Sequence, residues 1–152
     1  MKTKSKIFLA KIVSKIITFF ISKNQTVIRN KINWSLNLDE GIDLSIFLFG
    51  SSENKVLNFS KLLQKKNTPI IIIDIGANIG SVSLIIAKKL ENSKVFAIEP
   101  TNYAFQKLSK NLNLNDDLKD KIFLKQLFIS NNKKPQKVWS SWNFEKSDSK
   151  HQ

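Results

Sequence analysis

The sequence of 152 residues contains no cysteine. This absence excludes a disulfide-stabilised scaffold, a thiolate metal site and a cysteine nucleophile. The single histidine, His151, is the penultimate residue. Its position argues against a histidine-based metal site and against a Ser-His-Asp triad, so we expect the protein to bind no metal ion. The hydrophobic content of 41% is enough for one small domain with a core of its own.

Acidic residues are missing from the first 31 positions, which hold eight basic ones: Lys2, Lys4, Lys6, Lys11, Lys15, Lys23, Arg29 and Lys31. This segment carries +8 of the net charge of +13, and the remaining +5 is ordinary for a soluble domain. The basic excess is therefore a terminal feature and not a groove on the fold. No recognition motif accompanies it, so we expect no nucleic-acid partner.

The same segment, residues 1–31, is predicted to form a basic amphipathic helix. Ile7–Ile21 is largely apolar, and Lys11 and Lys15 would share one stripe of a helix. The run is shorter than a transmembrane span and lacks a small-residue cleavage site. Two interpretations fit it. The helix packs on the domain, or residues 1–22 dock peripherally on an anionic membrane surface. We expect a cytoplasmic protein, either free or peripheral at the inner membrane surface.

The stretch Pro69–Gly80 organises the rest of the chain. Its four consecutive isoleucines predict a strand, Ile70–Ile75, that is buried on both faces. Helical spacing of apolar residues then predicts a helix over Ile79–Leu90. Asp74 stands at the carboxyl end of the strand, where ligands of open α/β sheets bind, and it could accept from a cationic group. The glycines of the loop that follows let a ligand approach the backbone closely, and the free N–H groups at the start of the next helix favour a negatively charged ligand group. The candidate binding residues of this loop are Gly76, Ala77, Asn78 and Gly80.

A second predicted strand, Lys94–Ile98, ends in Glu99-Pro100. Glu99 lies nineteen residues after Gly80, and an acidic residue at about this distance can accept hydrogen bonds from both ribose hydroxyls. Pro100 ends the strand and directs the next loop. The G-x-G-x-x-G fingerprint of nicotinamide dinucleotide sites fits poorly, because this loop has a single three-residue gap between its glycines.

The sequence Asp-Ile-Gly-Ala-Asn-Ile-Gly at 74–80 resembles motif I of the class I S-adenosylmethionine-dependent methyltransferases. Together with Ala-Ile-Glu-Pro at 97–100 and the asparagine-rich helix end 108–115, it resembles more narrowly the FkbM family of methyltransferases. The resemblance covers roughly residues 36–130. It implies S-adenosyl-L-methionine as the cofactor, with Asp74 near the methionine ammonium and Glu99 on the ribose. It also implies that Asn102 or Tyr103 approaches the adenine.

Two further expectations come from the same resemblance. Gly-Ser-Ser-Glu at 50–53 looks like the Gly-x-x-Glu that precedes motif I in the family, so Glu53 would face the cofactor pocket. The alternative is that Glu53 is a carboxylate at a helix N-terminus that interacts with the helix dipole. The family also implies O-methylation of a hydroxyl on a sugar, polysaccharide or secondary metabolite, which makes the acceptor a small molecule or a glycan.

The predicted fold class is α/β, with the Rossmann-like parallel sheet of a class I methyltransferase and helices at the N-terminus. Strands and helices alternate, which implies parallel pairing through helical crossovers. Four segments are expected. Residues 1–31 form a helix, and residues 32–68 hold a strand at 32–38 and helices from 42 onward. Residues 69–144 form a partial cofactor-binding domain, with a helix at 103–112, a third strand at 122–129 and an antiparallel strand at 137–144, and residues 145–152 form a frayed tail.

A class I methyltransferase sheet has seven strands, so the resemblance predicts an incomplete sheet that lacks its C-terminal strands. One edge of the motif I strand would then have no neighbour in this chain. The family's catalytic residues fall among the missing strands, so no catalytic residue is identified. We expect a truncated or split chain that is inactive alone. The alternative is a non-catalytic α/β remnant or a module that docks on a membrane or partner.

Overall fold

The computed structural model describes residues 3–51, 58, 68–131, 137–138 and 149–150, with side chains from residue 8 to residue 131. The predicted helix after Ser51, with Glu53, therefore lies outside the described residues. The elements are α1 (Thr3–Phe20), β1 (Asn24–Arg29), β2 (Ile32–Asn37), α2 (Gly41–Phe49), β3 (Ile70–Ile75), α3 (Ser83–Lys89), β4 (Ser93–Ile98), α4 (Asn102–Asn113), β5 (Ile122–Lys125), β6 (Lys137–Val138) and β7 (Ser149–Lys150).

A parallel sheet of order β3-β4-β5 forms the centre of the fold. Its inner face meets α3, α4 and the β1–β2 hairpin around buried residues that include Trp34, Leu84, Val95 and Leu108. The alternating strand and helix pattern predicted this arrangement, and the α/β class with a parallel sheet is confirmed. Among the described residues β3 pairs with β4 alone, so its other edge carries no strand in that part of the chain.

The predicted burial of β3 on both faces is wrong. Ile71, Ile73 and Ile75 are 63–69% exposed, whereas Ile70 and Ile72 pack against the core. Successive residues of a strand point to opposite faces, and the described helices cover only one of them. A run of identical apolar residues cannot reveal this difference, because it places isoleucine on both faces.

The helix after the glycine loop begins at Ser83 and not at Ile79 as predicted. Asn78 and Gly80 have φ values of 51° and 89°, which lie in the left-handed region and cannot belong to a right-handed helix. The third strand is also shorter than predicted, since it ends at Lys125 and not at Ile129. The other two parallel strands and α4 lie within one residue of their predicted positions.

An antiparallel hairpin, β1–β2, precedes the parallel sheet. Alternation predicted β2, whose Ile32, Trp34 and Leu36 are buried. The strand β1 is a correction to the predicted helical segment 1–31, because the helix ends at Phe20. Asn30 and Lys31 join the strands with φ values of 54° and 60°, as a two-residue hairpin turn of the I′ kind requires.

The N-terminal helix α1 packs on the domain along one face. Ala10 and Ile17 contact the core, and the buried Ser14 hydroxyl donates to Asp39 Oδ1 at 3.2 Å. The helix α2 contacts α1 and ends at a left-handed Gly50. No described helix is long and apolar enough to cross a membrane. Near the C-terminus, β6 pairs antiparallel with β7; the rest of the predicted strand 137–144 and of the tail 145–152 lies outside the described residues.

Candidate cofactor site

The glycine loop is fixed to the end of the neighbouring strand by its own backbone. The N–H groups of Gly76 and Ala77 both donate to the carbonyl oxygen of Ile98, each at 2.9 Å. Gly76, Asn78 and Gly80 all have positive φ, between 51° and 89°. Positive φ is energetically costly for most residues, but glycine, which has no Cβ, and asparagine adopt it readily. The residue types of the loop therefore match the backbone path that the structure requires.

The two glycines of the loop have different surroundings. A Cβ at Gly80 would lie 2.4 Å from Leu84 Cδ1 and 2.7 Å from Leu108 Cδ1, so this glycine permits close packing of the loop on α3 and α4. A Cβ at Gly76 would meet no atom within 4 Å. The surface above Gly76 is thus open, and it is the part of the loop that a ligand can approach closely.

Asp74 lies at the carboxyl end of β3, directly before this open part of the loop. The Ser83 hydroxyl, buried in the first turn of α3, donates to Asp74 Oδ2 at 2.5 Å. A charge-assisted hydrogen bond of this length fixes the direction of the carboxylate. Ser83 was not identified from the sequence, since a serine at a helix start is also common for reasons of capping.

Glu99 is brought to the other side of the loop and is buried, with 5% of its surface exposed. Its Oε2 accepts from the backbone N–H of Asn78 at 2.9 Å, and its Oε1 accepts from the N–H and the hydroxyl of Thr101 at 2.9 and 2.6 Å. Each carboxylate oxygen has two acceptor positions. Oε2 therefore keeps capacity to accept a further hydrogen bond.

The residues that follow Glu99 have separate surroundings. Pro100 is half-buried and ends the strand as predicted. Asn102 is exposed, and its Oδ1 accepts from Gln126 Nε2 at 2.8 Å. The Tyr103 hydroxyl donates to Glu40 and so turns toward the N-terminal part of the domain. Of the two residues predicted to approach an adenine, the exposed Asn102 therefore has the more accessible side chain.

Two buried asparagines support the loop from behind. Asn111 Nδ2 donates to the carbonyl oxygen of Ile79 at 3.0 Å, and its Oδ1 accepts from the Ser35 N–H at 2.8 Å. Asn115, one turn later, accepts from the Asn33 N–H and donates to the Asn33 carbonyl, both at 2.8 Å. Both side chains thus satisfy the backbone of β2, and Asn111 also holds the loop. The asparagine-rich helix end was noted in the sequence, but these partners were not.

A polar cluster beside the site joins α2 to α4. Lys107 pairs with Glu40 at 2.8 Å and with Asp43, and Tyr103 donates to Glu40. Burial raises the pKa of Asp43, even though Lys107 and the Asn37 N–H both act to lower it. Burial, followed by the hydrogen bond to Glu40, raises the pKa of Tyr103 to about 12. The cluster joins the first two turns of α4, which begins directly after Thr101, to the start of α2.

Comparison with known proteins bears on the fold of the chain. No family model matches the chain. A segment of 47 residues is 47% identical to the methyltransferase sdnD of Sordaria araneosa, and it covers 31% of this chain and 18% of that protein.

Among solved structures, TYW2 of P. horikoshii in complex with MeSAdo matches with a TM-score of 0.51 and 17% identity, over 84% of this chain and 50% of that one. The SAM-dependent methyltransferase of Agrobacterium tumefaciens matches with a TM-score of 0.51 and 11% identity, over 68% and 32%. The chain thus spans 50% of the TYW2 structure and 32% of the Agrobacterium tumefaciens structure. It has the Rossmann-like fold of S-adenosylmethionine-dependent methyltransferases.

Proposed function

We propose that this chain carries the cofactor-binding half of an S-adenosylmethionine-dependent methyltransferase. The observation on which this depends is the convergence of Asp74, the loop Gly76–Gly80 and Glu99 at the carboxyl ends of β3 and β4. Asp74 directly precedes the open position at Gly76, and Oε2 of Glu99 is bound to the loop at Asn78. This order matches a ligand with a cationic amine at one end and a ribose at the other.

The chain's own residues would divide the work of binding. Asp74, oriented by Ser83, would accept from the methionine ammonium, and the open surface at Gly76 would lie along the methionine portion. Glu99 would accept from the ribose hydroxyls, and Asn102 would lie toward the adenine. The cofactor supplies a methyl group on a sulfonium, which is a good leaving group, so the protein's task is mainly to position the reactants. The role of Glu53 at the pocket stays a prediction.

For the acceptor we propose a hydroxyl on a sugar, polysaccharide or secondary metabolite, as the resemblance to the FkbM family implies. A hydroxyl acceptor requires a general base, and we assign none. Since β3 pairs with β4 alone in the described part of the chain, we propose that turnover needs further strands beside β3. Methyl transfer to a glycan or small-molecule hydroxyl by the 152-residue chain alone would contradict this last point.

Calorimetry with S-adenosylhomocysteine and with NAD tests the cofactor class. We expect S-adenosylhomocysteine to bind and NAD not to bind; binding of NAD alone would overturn the proposal.

Glu99→Gln should weaken S-adenosylhomocysteine binding by about tenfold, because one charged acceptor near the ribose is worth about 1.4 kcal/mol or more. Glu91→Gln is the matched control, since Glu91 is exposed in the turn before β4. Equal affinities of the two variants would refute the role given to Glu99.

A further inference from the structure

The helix α1 exposes a stripe of large apolar side chains on the face opposite to its contact with the domain. At 3.6 residues per turn, the members of this apolar stripe occupy about a third of the helix circumference. Their exposed fractions run from 39% to 83%; they are Phe8, Leu9, Ile12, Ile16, Phe19 and Phe20. Contiguous exposed apolar surface on this scale marks a contact site more often than a scattered residue does.

The stripe is separate from the surface by which the helix is attached. Ala10 and Ile17 contact the core, and Ser14 is bound to Asp39. The helix therefore does not need the stripe to hold its place on the domain. The two interpretations of the sequence were alternatives, but the structure uses one face for packing and leaves the other available. Phe19 and Phe20 touch edge to face at 5.1 Å at the end of the stripe.

Charge indicates what covers the stripe. Lys11 and Lys15, both exposed, follow Phe8 and Ile12 at helical spacing of three residues and so line one border of it. The first 31 residues hold eight basic residues and no acidic one. Asp39, the acid bound to this helix, lies on the packed face. An apolar stripe with lysines along one border is complementary to an anionic lipid surface and would leave those lysines unpaired against an ordinary apolar protein face.

We propose that α1 attaches this protein to anionic lipid membranes, with the apolar stripe inserted among the acyl chains and Lys11 and Lys15 at the phosphate level. The helix would lie in the plane of the interface, buried by about 5–10 Å. This inference does not depend on the proposed methyltransferase activity, because none of its residues belongs to the cofactor site.

Co-sedimentation of the full chain with lipid vesicles tests the proposal. We expect binding to vesicles of phosphatidylglycerol and phosphatidylcholine and much weaker binding to phosphatidylcholine alone. The triple variant Phe8→Ser, Ile16→Ser, Phe19→Ser should lose binding while its thermal unfolding stays unchanged. The control is the double variant Ile71→Ser, Ile73→Ser, which removes exposed apolar side chains from β3 and should bind like the unaltered chain.

The basic border is tested separately. Lys11→Gln and Lys15→Gln should each weaken binding to the anionic vesicles about fivefold, as expected for one lysine near an anionic surface, and added salt should reduce the difference.

Two results would overturn the proposal: no binding of the unaltered chain to anionic vesicles, and equal binding by the stripe variant. If vesicle binding is absent, self-association without lipid that the stripe variant abolishes would assign the stripe to a second copy of this chain.

Discussion

Alanine at Gly80 should reduce stability more than alanine at Gly76, whereas alanine at Gly76 should weaken ligand binding more than alanine at Gly80. Both glycines have φ near 80–90°, so each substitution places a Cβ in the left-handed region, at a cost of roughly 1–2 kcal/mol. Alanine also reduces the entropy of the unfolded chain, which offsets about 0.4–1 kcal/mol of that cost. Backbone strain alone therefore predicts similar, small effects at the two positions.

Packing separates the two variants. The new Cβ at Gly80 would lie 2.4 Å from Leu84 Cδ1 and 2.7 Å from Leu108 Cδ1, and both leucines are fully buried. Overpacking of this kind adds about 1–3 kcal/mol. We expect Gly80→Ala to lower the free energy of unfolding by about 2–4 kcal/mol, and Gly76→Ala, which has open space, by about 1 kcal/mol or less. At this chain length the difference corresponds to a melting temperature lower by roughly 5–10 °C for Gly80→Ala.

Ligand binding should show the reverse order. The open surface at Gly76 is where the cofactor would lie closest to the backbone, so a methyl group there should weaken S-adenosylhomocysteine binding by about tenfold or more, as a steric clash of about 1–3 kcal/mol predicts. Gly80→Ala, measured below its unfolding transition, should bind with less change. Gly41→Ala controls for the substitution itself, because Gly41 has neither a positive φ nor a close neighbour.

The measurements are urea midpoints and calorimetric dissociation constants for the three variants. Equal destabilisation at Gly76 and Gly80 would refute the packing account of Gly80. Unchanged S-adenosylhomocysteine affinity in Gly76→Ala, with a folded protein, would refute the placement of the ligand over this part of the loop.

Two further predictions concern the supports of the site. Asn111→Leu and Asn115→Leu should each lower the free energy of unfolding by about 2–3 kcal/mol, because each leaves buried backbone groups without a partner. Only Asn111→Leu should also weaken S-adenosylhomocysteine binding, since only Asn111 holds Ile79, and equal dissociation constants would contradict this. Burial and the hydrogen bond to Glu40 raise the pKa of Tyr103 from 10.0 to about 12 in the folded protein. The stabilisation that the protonated hydroxyl contributes is therefore fully present below pH 10.0 and is lost as the pH rises toward 12. Urea midpoints at about pH 9 and about pH 12 should therefore show a smaller alkaline loss in Tyr103→Phe than in the unaltered chain, and an equal loss would rule out Tyr103 as its source.

The parallel strands and the loop between them could be predicted because their signals are local. A β-branched run, two glycines and a Glu-Pro pair at fixed spacing place β3, the loop and the end of β4 within a few residues of their observed positions. The N–H groups of Gly76 and Ala77 then reach the carbonyl oxygen of Ile98. These contacts follow directly from parallel pairing of β3 with β4, which the alternating pattern had indicated.

The missed features depend on partners far away along the chain. Asn111 and Asn115 are buried because they satisfy backbone groups of β2 that lie 76 and 82 residues earlier. No local pattern distinguishes them from asparagines at an exposed helix end. The strand β1 was missed because only Val27 and Ile28 are apolar within it and its turn contains no glycine, so the usual hairpin signal is absent.

The position of Glu99 explains why its two roles must be measured separately. Its carboxylate holds the Asn78 N–H and so helps to fix a residue in the left-handed region, and the proposal also gives it the ribose hydroxyls. A substitution there removes a support of the loop together with a ligand contact. The carbonyl oxygens of Ile98 and Ile79 are bound independently of Glu99, by the loop N–H groups and by Asn111. The loop should therefore keep its path in Glu99→Gln, although the one acceptor oxygen of glutamine cannot serve the donors of both Asn78 and Thr101. A loss of affinity that exceeds the resulting loss of stability would assign the main role of Glu99 to the ligand.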